Sequence, residues 1–285
     1  MSTSIVLPAK NEAAALKELL PKLRERFPDF EIILVDDGST DNTGEICKKN
    51  DVVHIRLPYS MGNGAAIKAG ARAASGEVLV FMDADGQHKP DDIPRLLEQL
   101  ESGFDLVVGA RSRESQASLG RWCANAFYNW FASVMVGHKV ADLTSGFRAA
   151  KARKFREFLY LLPNGFSYPT TSTMAFFRSG YSVSYIPITA EKRIGNSHIR
   201  LLKDGTRFLL ILFKIGTLYS PLKIFLPVSA CSFFTGVFYY MYTFITAGRF
   251  TNMSALLFTT AVTIFLMGLV SEQITNLIYN KETDS

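Results

Sequence analysis

The sequence predicts an α/β domain with a mainly parallel sheet, followed by a pair of membrane-crossing helices. Short runs rich in β-branched and apolar residues alternate with amphipathic helical stretches through the first hundred residues. Two strand-like runs end directly in paired aspartates: Ile32-Ile33-Leu34-Val35 runs into Asp36-Asp37, and Val78-Leu79-Val80-Phe81-Met82 into Asp83-Ala84-Asp85. Near the C-terminus, residues 224–248 and 250–271 carry no charged side chain.

Taken in order, strands are expected near Ser4–Leu7, Glu31–Val35, Val52–Leu57, Glu77–Met82 and Asp105–Val108. Helices are expected near Glu12–Arg26, Asn42–Lys49, Gly64–Ala74, Asp91–Glu101 and Leu119–Val136. The first helix shows the pattern clearly, because Leu16, Leu19, Leu20 and Leu23 fall on one face while Lys17, Glu18, Lys22 and Arg24 lie between them. Beyond Gly109 the pattern loses regularity, and this half is expected to carry the acceptor side of a site.

Each uncharged stretch is long enough to cross a hydrocarbon core, and neither has the polar face of a soluble-core helix. Two spans follow, at about 224–247 and 253–276, within a hairpin region 221–279 and before a tail 280–285. The short turn between them carries only Arg249, whereas Arg200, Lys203, Arg207, Lys214 and Lys223 crowd the approach and Lys281 follows the exit. The positive-inside rule then places both termini in the cytoplasm, in an expected prokaryotic inner membrane. The chain opens on Met-Ser-Thr-Ser-Ile with no basic segment leading into an apolar one, so export of the first 200 residues is not expected. Residues 197–220 form a predicted interfacial helix: Arg200, Lys203, Arg207 and Lys214 lie within about 60° on a helical wheel, with leucines covering much of the other side.

The hydrophobic fraction of 48% agrees with this organisation. A net charge of +5 concentrates near the spans, which fits anionic lipid better than nucleic acid. Cys47, Cys123 and Cys231 have no paired spacing, and the four histidines are scattered, so neither a disulfide framework nor a zinc site is expected.

Two carboxylates one residue apart at a strand end suit a hard divalent cation, Mg²⁺ or Mn²⁺. Mg²⁺ is usually held by one or two carboxylates plus substrate phosphates, so a nucleoside diphosphate is the expected partner of Asp83 and Asp85, with Gln87 as a further oxygen ligand. A dinucleotide fingerprint is excluded by context: the first strand leads into Pro8-Ala9-Lys10-Asn11, and Gly62-Asn63-Gly64 continues as Ala65-Ala66-Ile67.

Pro8-Ala9-Lys10-Asn11-Glu12, the two acidic strand ends and Gly62-Asn63-Gly64 together resemble the family-2 glycosyltransferases, whose catalytic domain is called GT-A. Within that family, Gly109-Ala110-Arg111, Asp142-Leu143-Thr144-Ser145-Gly146-Phe147 and Arg193-Ile194-Gly195-Asn196-Ser197 look like the polyprenyl-phosphate sugar synthases, relatives of dolichol-phosphate mannose synthase. The resemblance covers roughly residues 3–200, with the GT-A domain placed at 1–196.

The resemblance implies an inverting transfer of one sugar from a UDP- or GDP-sugar to a membrane polyprenyl phosphate. It implies that Asp37 meets the base and that Pro8, Lys10 and Glu12 line the nucleoside pocket, although many relatives carry an aromatic residue where Lys10 stands. The acceptor is already an anionic nucleophile, so the site needs cations rather than a tuned base, and Arg111, Arg121 and Arg193 are the candidates. Asn125, Asp142 and Ser145 look like sugar- or loop-positioning residues; Asn125 replaces a frequent serine and His198 a frequent lysine. A processive polysaccharide synthase would need a channel that two spans supply only by forming a homo-oligomer. A catalytically silent binder of nucleotide sugars or partner proteins would have no need for the paired metal ligands.

Overall fold

The computed structural model describes residues 1–111, 119–165, 167–189, 213, 216, 217 and 219–280; for 119–124 and 280 it describes the helical backbone alone. The chain divides into two compact units, Met1–Arg200 and Leu201–Ser285.

In the first unit the elements run β1 (Thr3–Ala9), α1 (Ala13–Arg26), β2 (Glu31–Asp36), α2 (Thr43–Lys49), β3 (Val53–Arg56), α3 (Asn63–Ala73), β4 (Val78–Phe81), α4 (Ile93–Glu101), β5 (Leu106–Arg111) and α5 (Leu119–Val136). These are the alternating elements the sequence predicts. There follow β6 (Arg148–Lys151), α6 (Ala152–Arg156), α7 (Tyr168–Arg178) and β7 (Val183–Ile188), which it does not.

The strands form one seven-stranded sheet in the order β3-β2-β1-β4-β6-β5-β7. It is mixed, because β6 runs antiparallel to both β4 and β5 while the remaining pairings are parallel. A four-residue Arg-Ala-Ala-Lys segment has little strand propensity of its own. Its position decides the matter: Arg148, Ala149 and Ala150 are wholly buried between β4 and β5. β7 contains Pro187 and lies at the sheet edge, where a missing ladder donor costs least. Leu16, Leu20 and Leu23 of α1 meet Ile5, Leu7, Ile32 and Leu34 in the core, joined by Val80, Ile93, Leu96 and Val107. Such burial of whole aliphatic side chains contributes about 1.5–3 kcal/mol each.

In the second unit, α8 (Pro221–Ala247) and α9 (Asn252–Asn280) form a hairpin. Small residues bring the helices close: Gly236 faces Leu257 and Phe258, and Gly268 faces Phe225. Ser229 Oγ donates to the Ala261 carbonyl (2.8 Å) and Ser232 Oγ to that of Leu257 (3.2 Å). Glu272, just past the uncharged stretch, accepts from the Leu222 backbone N–H (3.2 Å) at the positive end of α8. Outward faces are apolar, with Phe238, Tyr242, Ile245, Leu266 and Val270 exposed, and both helices are long and apolar enough to span a bilayer. The predicted interfacial helix lies almost entirely outside the described residues.

Candidate functional site

Parallel pairing gathers three strand ends on one edge. Ala9 is in register with Asp36, and Val6 with Phe81, so the segments following β1, β2 and β4 emerge side by side. That edge is where open α/β sheets bind ligands.

The first two segments are stitched together. The Asn11 backbone N–H donates to Ser39 Oγ (3.0 Å), while Asn11 Oδ1 accepts from the Thr40 backbone N–H (2.8 Å). Asp36 closes its own turn by accepting from the Ser39 N–H (2.6 Å). Asp37 is buried, and its carboxylate accepts from Ser60 Oγ (2.8 Å), the Met61 N–H (2.6 Å) and the Gly62 N–H. It therefore anchors the 60–62 loop that starts α3. Lys10 Nζ donates to the same Ser60 Oγ (2.8 Å), so Lys10, Ser60 and Asp37 form one polar chain along this wall. Pro8 and Glu12 are half-buried beside them.

After β4 the backbone turns at Gly86, whose φ of +77° suits glycine, and Asp85 Oδ1 accepts from the Gln87 N–H (3.1 Å). Asp85 is buried and Asp83 half-buried. Among the described residues no group of three or more His, Cys, Asp or Glu side chains gathers to hold a metal. Two carboxylates and an amide oxygen on one turn match the donor set of a Mg²⁺ or Mn²⁺ ion whose remaining ligands are water and diphosphate oxygens. The loop before β6 lies close against this turn: a Cβ on Gly146 would stand 2.7 Å from Asp83 Oδ2, so a larger residue there would displace the carboxylate.

That loop, residues 142–147, reaches Asp83 because β6 is antiparallel: Arg148 is in register with Phe81, which puts the start of β6 beside the end of β4. α5 holds the loop from outside, with Asn129 Nδ2 donating to the Ala141 carbonyl (2.7 Å) and Asn129 Oδ1 accepting from the Leu143 N–H (2.9 Å). Asp142 accepts from Arg111 Nε (2.8 Å) and Nη2 (3.0 Å) and from the backbone N–H groups of Arg111, Thr144 and Ser145. Burial alone would raise the Asp142 carboxyl and lower the Arg111 guanidinium, but their mutual pairing more than offsets it. Asp142 is held below the usual carboxylate range and Arg111 above its ordinary value, with Asp83 adding to the latter.

Asp142 is thus a loop- and arginine-positioning residue. Ser145, expected to position a sugar or loop, is wholly buried in the loop, and its Oγ has no hydrogen-bond partner among the described residues. Asn125 is half-buried on α5, one turn before Asn129. The side chain of Arg121, and Arg193 with His198, lie outside the described residues.

Two residues here were not anticipated. His88 stacks on Phe147 (5.0 Å between ring centroids), and burial pushes it down to about 4, leaving it neutral at neutral pH against the opposing pull of Asp85. Arg148 is fully buried beneath the 142–147 loop. The one available signal was an arginine embedded in Gly146-Phe147-Arg148-Ala149-Ala150, an otherwise apolar run.

A mixed sheet with helices on it, carrying a polar wall, a paired-carboxylate turn and an arginine-carboxylate loop at one edge, has the GT-A architecture. The chain belongs to glycosyl transferase family 2, which matches residues 4–176, and the GtrB C-terminal hairpin family matches residues 220–277. It is 32% identical over 213 residues to an undecaprenyl-phosphate mannosyltransferase of Micrococcus luteus, covering 69% of this chain and 87% of that protein. It is 29% identical over 232 residues to a polyprenol monophosphomannose synthase of Mycolicibacterium smegmatis, covering 75% and 85%. An undecaprenyl-phosphate 4-deoxy-4-formamido-L-arabinose transferase of Pseudomonas fluorescens is 33% identical over 190 residues, 60% of this chain; the match spans only 55% of that protein. Among solved structures, a glucosyl-3-phosphoglycerate synthase from Mycobacterium tuberculosis, in complex with Mn²⁺, UDP-glucose and phosphoglyceric acid, superposes with a TM-score of 0.62 at 21% identity over 75% of this chain and 79% of that one.

Proposed function

We propose that this chain is an inverting, metal-dependent glycosyltransferase that moves one sugar from a nucleotide sugar to a membrane polyprenyl phosphate at the cytoplasmic face. The observation that carries the reading is the convergence of the Asp83/Asp85 turn with the Arg111–Asp142 loop at one sheet edge, in a chain that ends in an apolar hairpin. Relatives named for undecaprenyl or polyprenol phosphates support the acceptor class, and the Mn²⁺-bound structural neighbour supports a metal.

In this reading the wall built by Asp37, Ser60 and Lys10 receives the nucleoside, with Pro8 and Glu12 alongside. Asp83 and Asp85, with Gln87, would hold Mg²⁺ or Mn²⁺, which supplies charge stabilisation at the departing diphosphate. Arg111 stands with its guanidinium fixed by Asp142 and Thr144, a preorganised cation at the rim where the acceptor phosphate enters. The resemblance makes Arg121 and Arg193 the further candidate cations for the acceptor phosphate. The acceptor phosphate attacks as an anion, so no side chain has to remove a proton from it.

The test is to incubate membranes containing the protein with a panel of radiolabelled nucleotide sugars and polyprenyl phosphates, and to separate the lipid products by thin-layer chromatography. One sugar-lipid product is expected. Binding of a nucleotide sugar with no lipid-linked product from any acceptor would overturn the proposal.

A further inference from the structure

Arg148 is a buried cation of unusual setting. Its side chain is wholly enclosed, yet it forms no ion pair among the described residues. Arginine stays charged in proteins, so its charge must be met in other ways. Nη1 donates to the Pro169 carbonyl (2.9 Å), Ser172 Oγ (2.9 Å) and Thr173 Oγ1 (3.1 Å), all on α7, and Nη2 donates to the Ser145 carbonyl. The guanidinium also lies 5.6 Å from the centre of the Tyr168 ring. Asp142 and Asp83 act on it from beyond contact distance.

Packing does not call for an arginine here. Phe81, Phe155 and Phe176 crowd the same side of the sheet, and a buried ionic group is often replaceable by a well-packed apolar one without loss of stability. What an apolar side chain cannot do is hold a carbonyl. Arg148 holds that of Ser145, and Tyr168 Oη donates to the next one, Gly146 (2.9 Å). The two consecutive carbonyls are thereby drawn toward α7. Gly146 also lies against the Asp83 carboxylate, where an added Cβ would stand 2.7 Å from Oδ2 and push it aside.

We infer that Arg148 and Tyr168 are positioning residues for Asp83: by pulling the Ser145 and Gly146 carbonyls inward they press the glycine onto that carboxylate and fix the orientation in which it meets the metal-bound diphosphate. The inference rests on the proposed reading of Asp83 as a metal ligand. It makes α7, whose Pro169, Ser172 and Thr173 meet Arg148 at the start of β6, part of the donor site.

The test uses the full chain in detergent and reads Mn²⁺ binding by electron paramagnetic resonance, in the presence of UDP and separately of GDP. Tyr168→Phe removes one hydroxyl and keeps the ring; Gly146→Ala adds one methyl group against Asp83. Each should weaken nucleotide-dependent Mn²⁺ binding, by about threefold to tenfold for the lost hydrogen bond, with acceptor KM unchanged; binding is read well below the thermal midpoint of each variant, which the lost buried hydrogen bond of Tyr168→Phe lowers. Arg148→Lys should restore part of what Arg148→Met loses. Because Arg148→Met can fail to fold, the decision falls to Tyr168→Phe and Gly146→Ala. If both bind Mn²⁺ as wild type does, the positioning role is overturned while the metal reading stands. If wild type itself binds no Mn²⁺ with either nucleotide, the metal reading and this inference fall together.

Discussion

Arg111 and Asp142, at the end of β5 and in the loop before β6, form a two-pronged pair in which Nε and Nη2 of the guanidinium meet the two oxygens of the carboxylate at 2.8 and 3.0 Å. The pair joins segments separated by the whole of α5, and it decides where Arg111 points. Asp142→Ala should leave a largely buried guanidinium without its partner and free the Thr144 and Ser145 N–H groups. Removing one member of a well-buried pair costs about 3–5 kcal/mol, and the partial exposure of Arg111 brings the expectation to about 2–3 kcal/mol. Denaturant unfolding of the purified protein measures it. A midpoint equal to wild type would show that the pair orders nothing.

The metal reading gives a sharper result. Asp85→Asn keeps size and one oxygen but removes the charge, so transfer should drop by about 10²–10³, the loss typical of removing one charge-stabilising group. Stability should stay near wild type, and excess EDTA should reproduce the defect in the unmodified protein. Wild-type turnover that persists under chelation would remove the metal from the mechanism.

The alternation of β1 to β5 with α1 to α5 was legible because most of the strands are apolar runs and the longer helices, α1 above all, carry a periodic apolar face. The antiparallel insertion was not. β6 reads as Arg-Ala-Ala-Lys, α7 opens as Tyr-Pro-Thr-Thr-Ser-Thr, and β7 contains a proline; each is specified by its tertiary surroundings more than by local preference. The same division runs through the site. Asp83 and Asp85 announced themselves by spacing, and Asp142 by its motif. Arg148 and His88 did not, because an arginine or histidine shows its burial only when the sheet is assembled.

At the opposite end of β5, away from the site, a pH effect on stability is expected. Asp105 accepts from Lys151 Nζ (2.8 Å) and Ser182 N–H (3.1 Å) and pairs with Lys154 Nζ (2.9 Å). Burial would raise its carboxyl, but these partners more than offset that and hold it at about 2. A lowered carboxyl contributes stability that is present above its unfolded value and lost as pH falls through the folded one. The loss should therefore fall between about pH 4 and pH 2 and amount to about 1–2 kcal/mol. Asp105→Asn should flatten that part of the stability profile and leave transfer activity at neutral pH intact; an unchanged acid profile would contradict the assignment.

Membrane topology is open to direct measurement. If the basic residues flanking the hairpin follow the positive-inside rule, Ser2 lies in the cytoplasm and the Thr251 turn outside. In a background lacking native cysteines, Thr251→Cys should react with an impermeant thiol reagent applied to intact cells and Ser2→Cys should not. Equal labelling, or labelling only at Ser2, would overturn this topology.

The acceptor side turns on Arg193, which precedes the predicted interfacial helix and lies outside the described residues. Its place in the sequence suits a lipid headgroup, since Arg200, Lys203 and Arg207 follow within the same basic stretch. If Arg193 binds the polyprenyl phosphate, Arg193→Ala should lower kcat/KM for that acceptor roughly ten- to a hundredfold, the equivalent of about 1.5–3 kcal/mol for one charge-assisted hydrogen bond. Donor-nucleotide affinity should be nearly unchanged, which separates this effect from those expected at Asp83 and Asp85. Arg193→Lys should recover only part of the loss, because an ammonium keeps the charge without the planar fork that grips two phosphate oxygens. Steady-state kinetics with acceptor varied at saturating donor, alongside nucleotide binding by calorimetry, make the comparison. Acceptor kinetics untouched by Arg193→Ala would take the residue out of the site and leave Arg111 and Arg121 as its cations.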